Sequence, residues 1–145
     1  MNDPFELVRF VAAQDRGGTY AAAAAELRAG CKRSHWMWFV FPQIAGLGQS
    51  PTSRRYAISS LAEARAYLAH PVLGRRLIES ACIVRDLEGR SASDIFGGID
   101  AMKLRSSMTL FARADPENPA FGEVLEKYFG GVPDEATDRL LDAAG

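Results

Sequence analysis

The sequence predicts a mainly α-helical fold: a compact single-domain bundle of about six to eight helices with no sizeable sheet. Three observations carry this. Apolar residues recur at spacings of three and four along most of the 145 residues, the period of one helix face. Ser, Asp and Asn stand ahead of these runs and Gly behind them, where helix caps are needed. No convincing set of alternating apolar and polar stretches marks paired strands.

The elements follow in order. Asp3, Pro4 and Glu6 have the form of a helix start, with Phe5, Val8 and Val11 recurring behind them and Leu7, Phe10 and Ala13 alongside. A second helix is expected from Thr19 to Arg28, stopping near Gly30. Residues 32–43, KRSHWMWFVFPQ, hold both tryptophans. As a strand this stretch would be apolar on both faces and would need burial on both sides. As a helix it would make about two turns grouping Trp36, Phe39 and Val40, with Pro42 disfavouring helix at Phe41. No partner strand is evident, and a short buried helix is the reading taken.

Gly46, Gly48 and Pro51 make the next stretch a loop, which also bears Arg54 and Arg55. Ser60 and Glu63 form a capping-box pattern ahead of Leu61, Ala64 and Leu68. Pro71 interrupts and is placed to open the next helix, which carries Leu73, Leu77, Ala81, Val84 and Leu87 and meets Gly89. His70 reads as a helix-end residue. SASDIF is a short helix before the Gly97–Gly98 break, and a longer one follows through Met102, Leu104, Met108 and Phe111. The last two helices start at Asn118–Pro119 and at Asp134.

Composition narrows the function. The chain is 48% hydrophobic and 24% charged with a net charge of -1, which suits a globular domain spanning residues 1–145. It lacks the electrostatic footprint of a general nucleic-acid binder. The amino-terminal stretch has no signal-peptide form and no apolar run is long enough for a membrane span, so a cytoplasmic protein is expected. Two cysteines, Cys31 and Cys82, read as reduced thiols. Two histidines with no supporting ligand spacing give no metal site, and no cofactor is called for.

The aromatic block admits two readings. Aromatics dominate small cores, so it can be core alone. Yet Lys32, Arg33, Ser34 and His35 stand at its entrance and Gln43 closes it, and a core segment does not need such polar company. On the second reading Trp36 or Trp38 stacks on a planar ligand while the cations hold its charge. His35, able to exchange a proton near neutral pH, is the candidate catalytic residue. Lys103 with Ser106 and Ser107, three and four positions on, shares a helix face and adds a polar binding surface. The Lys–Ser order is reversed relative to serine–lysine nucleophile signatures.

Four longer stretches add a resemblance: CKRSHWMWFVFPQIAGLGQSP, YAISSLAEARAYLAHPVLGRRL, IFGGIDAMKLRSSMTLFA and FGEVLEKYFGG. Together they resemble DUF1810, a bacterial and fungal domain family of unknown function, some of whose members carry a misleading calpastatin label. The resemblance runs from about Phe5 to about Leu141 and departs at DRGGT, residues 15–19. It implies a compact, mainly helical cytoplasmic protein and no catalytic residue. EARAYLAHPVLGRRL followed by DIFGG is also similar to NADAR-type proteins, which cleave N-glycosidic bonds of ADP-ribose-type substrates. Phe96 stands where those have tryptophan, and their glutamate-rich signatures are absent.

Two functions are therefore carried forward. One is binding or hydrolysis of a nucleotide-like or phosphorylated small molecule, an ADP-ribose-type N-glycosidic substrate being its most concrete form. The other is a non-catalytic interaction or adaptor module whose aromatic block is only core. The sequence leaves open whether the protein is an enzyme, and its oligomeric state.

Overall fold

Helices begin where a side chain takes up the free N–H groups of the first turn, and often end where a glycine lets the chain turn away. The structure, a computed structural model, describes residues 3–144. Its elements are α1 (Val8–Asp15), a 3-10 turn (Arg16–Gly18), α2 (Thr19–Ala29), α3 (Met37–Val40), α4 (Pro51–Arg55), α5 (Leu61–Ala69), α6 (Leu73–Asp86), α7 (Ala92–Ala114), α8 (Pro119–Phe129) and α9 (Glu135–Ala144). Of these, α3 and α4 are single turns, leaving seven longer helices. The mainly α fold is as expected. In place of a sheet, the described residues hold a lone parallel bridge between Ile44 and Ile58. No helix among them is long and apolar enough to cross a membrane.

The caps act locally. Ser60 Oγ accepts the Glu63 N–H at 3.1 Å, Asn118 Oδ1 accepts the Ala120 N–H at 3.0 Å, and Asp134 Oδ2 accepts the Thr137 N–H at 2.9 Å. Ser91 and Asp94 exchange a reciprocal pair at the start of α7. Two starts differ from the sequence expectation. Asp3 does cap, accepting the N–H groups of Leu7 and Val8 at 2.8 and 3.1 Å. The helix opens only at Val8, because Glu6 takes a left-handed φ of 53° that interrupts the turn begun at Asp3. Pro71 does not open α6, which starts at Leu73. The Nδ1 atom of His70 accepts from Val72 and Leu73 N–H at 3.1 and 3.2 Å, so this residue ends α5 and caps α6 together.

Two glycines are structurally required. Gly97 has φ 78° and ψ 164°, a conformation nearly confined to glycine. It splits α7 into the short and long helices that the sequence predicts on either side of the Gly97–Gly98 pair. At Gly74 a Cβ would lie 2.0 Å from the Leu68 carbonyl oxygen, so α6 approaches the end of α5 as only glycine allows.

The core is built on α6 and α7. Helix α7 packs against α5, α8 and α9, while α6 packs against α2, α5 and α8, and α1 lies on α2 and α3. An aromatic chain runs through it, with centroids 5.1 Å apart for Phe10–Tyr67, 5.5 Å for Tyr67–Phe111 and 5.9 Å for Phe111–Phe121. Residues 34–41 contain the expected short helix, but as one turn instead of two, since Phe41 before Pro42 leaves the helical region (φ -124°, ψ 73°). Trp36, Met37, Val40 and Phe41 are buried, whereas Trp38 and Phe39 are only half-buried.

The loop after α3 is pinned at both ends. Ile58 N–H donates to Gln43 O and Ala45 N–H to Ile58 O, each at 2.8 Å. Arg9 then ties that loop to α1, donating to the carbonyls of Arg55 and Ala57 at 2.8 Å and pairing with Glu63 at 2.9 Å. These contacts hold Gln43 and the Gly46–Gly48 loop against the turn that carries Trp38.

Candidate functional site

The polar entrance of the aromatic block finds its partner in α2. Glu26 accepts from the N–H groups of Arg33 and Ser34 at 2.7 and 3.0 Å, from Ser34 Oγ at 2.6 Å and from the Trp36 indole N–H at 2.9 Å. Burial opposes charge on this carboxyl, but the four hydrogen bonds outweigh it and its pKa falls to about 2. The Arg33 and Ser34 backbones are thereby committed to shaping the turn into α3.

A second polar chain links the two tryptophans. The Lys32 ammonium lies 5.2 Å from the centre of a Trp36 ring and 2.9 Å from Asp100 Oδ2. The Lys103 ammonium lies 4.1 Å from the centre of a Trp38 ring and 2.9 Å from Asp100 Oδ1. Burial raises the Asp100 pKa, yet its hydrogen bonds to Lys32 and Lys103 hold it below the usual carboxylate range. One carboxylate thus serves two ammonium groups, each over an indole. Asp100 and Lys103 are a single helical turn apart on α7, just beyond the Gly97 break that sets the direction of that helix.

Two adjoining clefts open at Trp38. The more enclosed, of about 120 Å³, lies between Trp38, Tyr56 and the Gly46–Gly48 loop, with Arg54 at its edge. The more open, of about 250 Å³, lies toward α7 and the start of α9, where Met102, Lys103, Ser106 and Asp134 line it. Trp38, Gln43, Leu47 and Gly48 belong to both. Together they reach the lower end of the roughly 300–1,000 Å³ range of ligand pockets.

Gln43, in the shared wall, is 8% exposed, and its Nε2 is buried without a hydrogen-bond partner. The other group in the described residues in this condition is Ser107 Oγ, inside the core. Asp134 is already occupied, accepting from Thr137 N–H and Oγ1 at 2.9 and 2.5 Å.

The residues singled out by sequence fall into three places. Trp38, Gln43, Lys103 and Ser106 line the open cleft. Trp36 is buried beside Glu26, and Lys32 reaches the site through Asp100. Arg33, Ser34 and His35 are exposed and line neither cleft, and Ser107 points into the core instead of sharing the Lys103 surface. The sequence reading left Glu26 out; its position in α2, seven to ten residues ahead of the groups it binds, gave the only signal. Ile99 and Met102 were also left out. They line the open cleft yet stay 77% and 53% exposed, and α-helical periodicity alone marks Met102 as core.

The family described as "Protein of unknown function (DUF1810)" matches residues 4–141 of the chain. The chain is similar to the conserved hypothetical protein Rv1873 from Mycobacterium tuberculosis, known from a crystal structure, with 56% sequence identity and a TM-score of 0.94. That match covers 97% of this chain and 99% of the other. No curated protein matches.

Proposed function

The chain belongs to the DUF1810 family, and on the strength of the site it carries we propose that it binds a nucleotide-like or phosphorylated small molecule in the clefts at Trp38. The observation that carries this reading is Gln43. An unsatisfied buried polar group costs about 1–3 kcal/mol, and Gln43 Nε2 is left so in the wall between two clefts. A rotation of the carboxamide that brings this donor to an acceptor atom of a ligand in either cleft offsets that cost. Trp38, Tyr56 and Leu47 offer apolar surface to a planar group, and Lys103 and Arg54 offer cations to an anionic one.

Binding is favoured over hydrolysis. An N-glycosidic cleavage needs a proton donor or acceptor at the bond. His35 lies outside the clefts, and the carboxylate in their lining, Asp134, is engaged as the cap of α9. The second reading, an interaction module, has its support in Ile99 and Met102, apolar side chains left at the edge of the open cleft.

A thermal-shift screen of nucleosides, nucleotides, ADP-ribose and sugar phosphates tests the proposal. A ligand at ten times its Kd should raise Tm by about 4 °C, and Trp38→Ala should abolish the rise without unfolding the protein. If no member of the screen shifts the wild type, the small-molecule reading fails and the interaction module takes its place.

A further inference from the structure

Building on the reading of the Trp38 clefts as a small-molecule site, we infer that the two clefts divide the work: the enclosed one takes a nucleobase, and the open one takes the rest of a nucleoside or its monophosphate. The division follows from what lines each. The enclosed cleft has two aromatic walls, Trp38 and Tyr56, a backbone edge at Gly46–Gly48 and the Gln43 carboxamide. Bases have flat faces that stack on aromatics whatever their sequence identity, and a carboxamide reads the hydrogen-bonding edge of a base. A sugar or a bare phosphate has neither a flat face nor such an edge.

The open cleft is built differently. Its cation is Lys103, and its neutral polar group beside Gln43 is Ser106, whose hydroxyl already donates to Met102 O at 3.1 Å. Lys103 shares Asp100 with Lys32, so the three groups together carry one net positive charge. Asp134, also in this lining, adds a negative charge. With Asp134 the four charges cancel, so a single phosphate has Lys103 alone to pair with, and a chain of phosphates meets a carboxylate and no further cation in this lining. Gln43 and Trp38 stand where the clefts meet, so a base seated between Trp38 and Tyr56 leaves its sugar directed toward Lys103.

Calorimetric titration with the four common ribonucleosides, their 5′-monophosphates and ribose 5-phosphate separates the possibilities. At least one nucleoside should bind, and its monophosphate should bind about tenfold more tightly. Ribose 5-phosphate alone should bind at least a hundredfold more weakly than that monophosphate. Gln43→Leu should weaken nucleoside and monophosphate alike by about tenfold. Gln43→Glu, which keeps the side chain's shape but replaces the amide donor by a carboxyl group, guards against an effect of packing alone and should weaken the nucleoside, and the monophosphate at least as much. Lys103→Met should erase the advantage of the monophosphate over the nucleoside. Ribose 5-phosphate binding as tightly as the monophosphates, with both Gln43 variants unaffected, overturns the nucleobase assignment while leaving a phosphorylated-ligand site in place. Absence of binding by every probe removes the small-molecule reading itself.

Discussion

The Trp36 indole N–H donates to Glu26 Oε1 over 2.9 Å, and the same carboxylate gathers Arg33 N–H, Ser34 N–H and Ser34 Oγ. A buried tryptophan and a polar loop are thus held by one side chain. Glu26→Ala removes the acceptor for four donors at once, and orphaned donors near the core each cost about 1–3 kcal/mol where water cannot replace the partner. Since Ser34 and Arg33 are exposed and regain water, the net loss is expected near 2 kcal/mol. Urea denaturation followed by tryptophan emission measures it, and a change below about 0.5 kcal/mol would show that the clamp contributes little.

The same carboxylate makes stability depend on pH with a definite sign. Its pKa is about 2 in the fold against 4.5 as the ordinary value. A depressed carboxyl pKa contributes stability that is fully present above the unfolded value and is lost as pH falls through the folded one. The contribution should therefore be intact above about pH 5 and decline between 4.5 and 2. Melting curves from pH 7 to pH 2.5 should show a steeper acid loss for the wild type than for Glu26→Gln. Parallel curves would remove Glu26 from the account.

Paired glycine substitutions test close packing against helix propensity. Gly74→Ala sets a Cβ 2.0 Å from Leu68 O, a backbone atom held by the end of α5, and should destabilise by about 3 kcal/mol. Gly122, on the exposed side of α8, has open space where a Cβ would stand, with no heavy atom of a neighbouring element within 4 Å. Gly122→Ala should stabilise by about 0.5–1 kcal/mol, because glycine in a helix costs that much relative to alanine. Chemical denaturation of the two variants should move the midpoint in opposite directions.

What the sequence made legible follows range. Caps and periodicity act within four or five residues, and Ser60, Asn118 and Asp134 take the cap positions their neighbours imply. Glu26, Asp100 and Arg9 act across longer separations. Arg9 meets Glu63 54 positions away, and Lys32 meets Asp100 just beyond the break in α7 at Gly97. The polar run KRSH was readable as unusual but not as turned toward two directions. Lys32 faces Trp36 and Asp100, while Arg33, Ser34 and His35 lie exposed over the Glu26 clamp. Trp38 and Gln43 are close in the chain, but their junction with Lys103 likewise depends on α7, which is distant from them in the sequence.

The Lys32–Asp100–Lys103 chain predicts a failure of additivity. Asp100 keeps a lysine partner when either cation is lost, so Lys32→Met and Lys103→Met should each cost about 1 kcal/mol, the scale of a partly exposed ion pair with a cation–π contact. Losing both leaves a partly buried carboxylate with neither partner, and its charge is then opposed by burial alone. The double variant should exceed the sum of the singles by about 1 kcal/mol, a coupling carried by Asp100 and not by contact between the lysines. Introducing Asp100→Asn beneath the same cycle should abolish that excess, since a neutral side chain has no charge to strand. Additive energies in the Asp100 background would mean that the two lysines act independently on their own tryptophans.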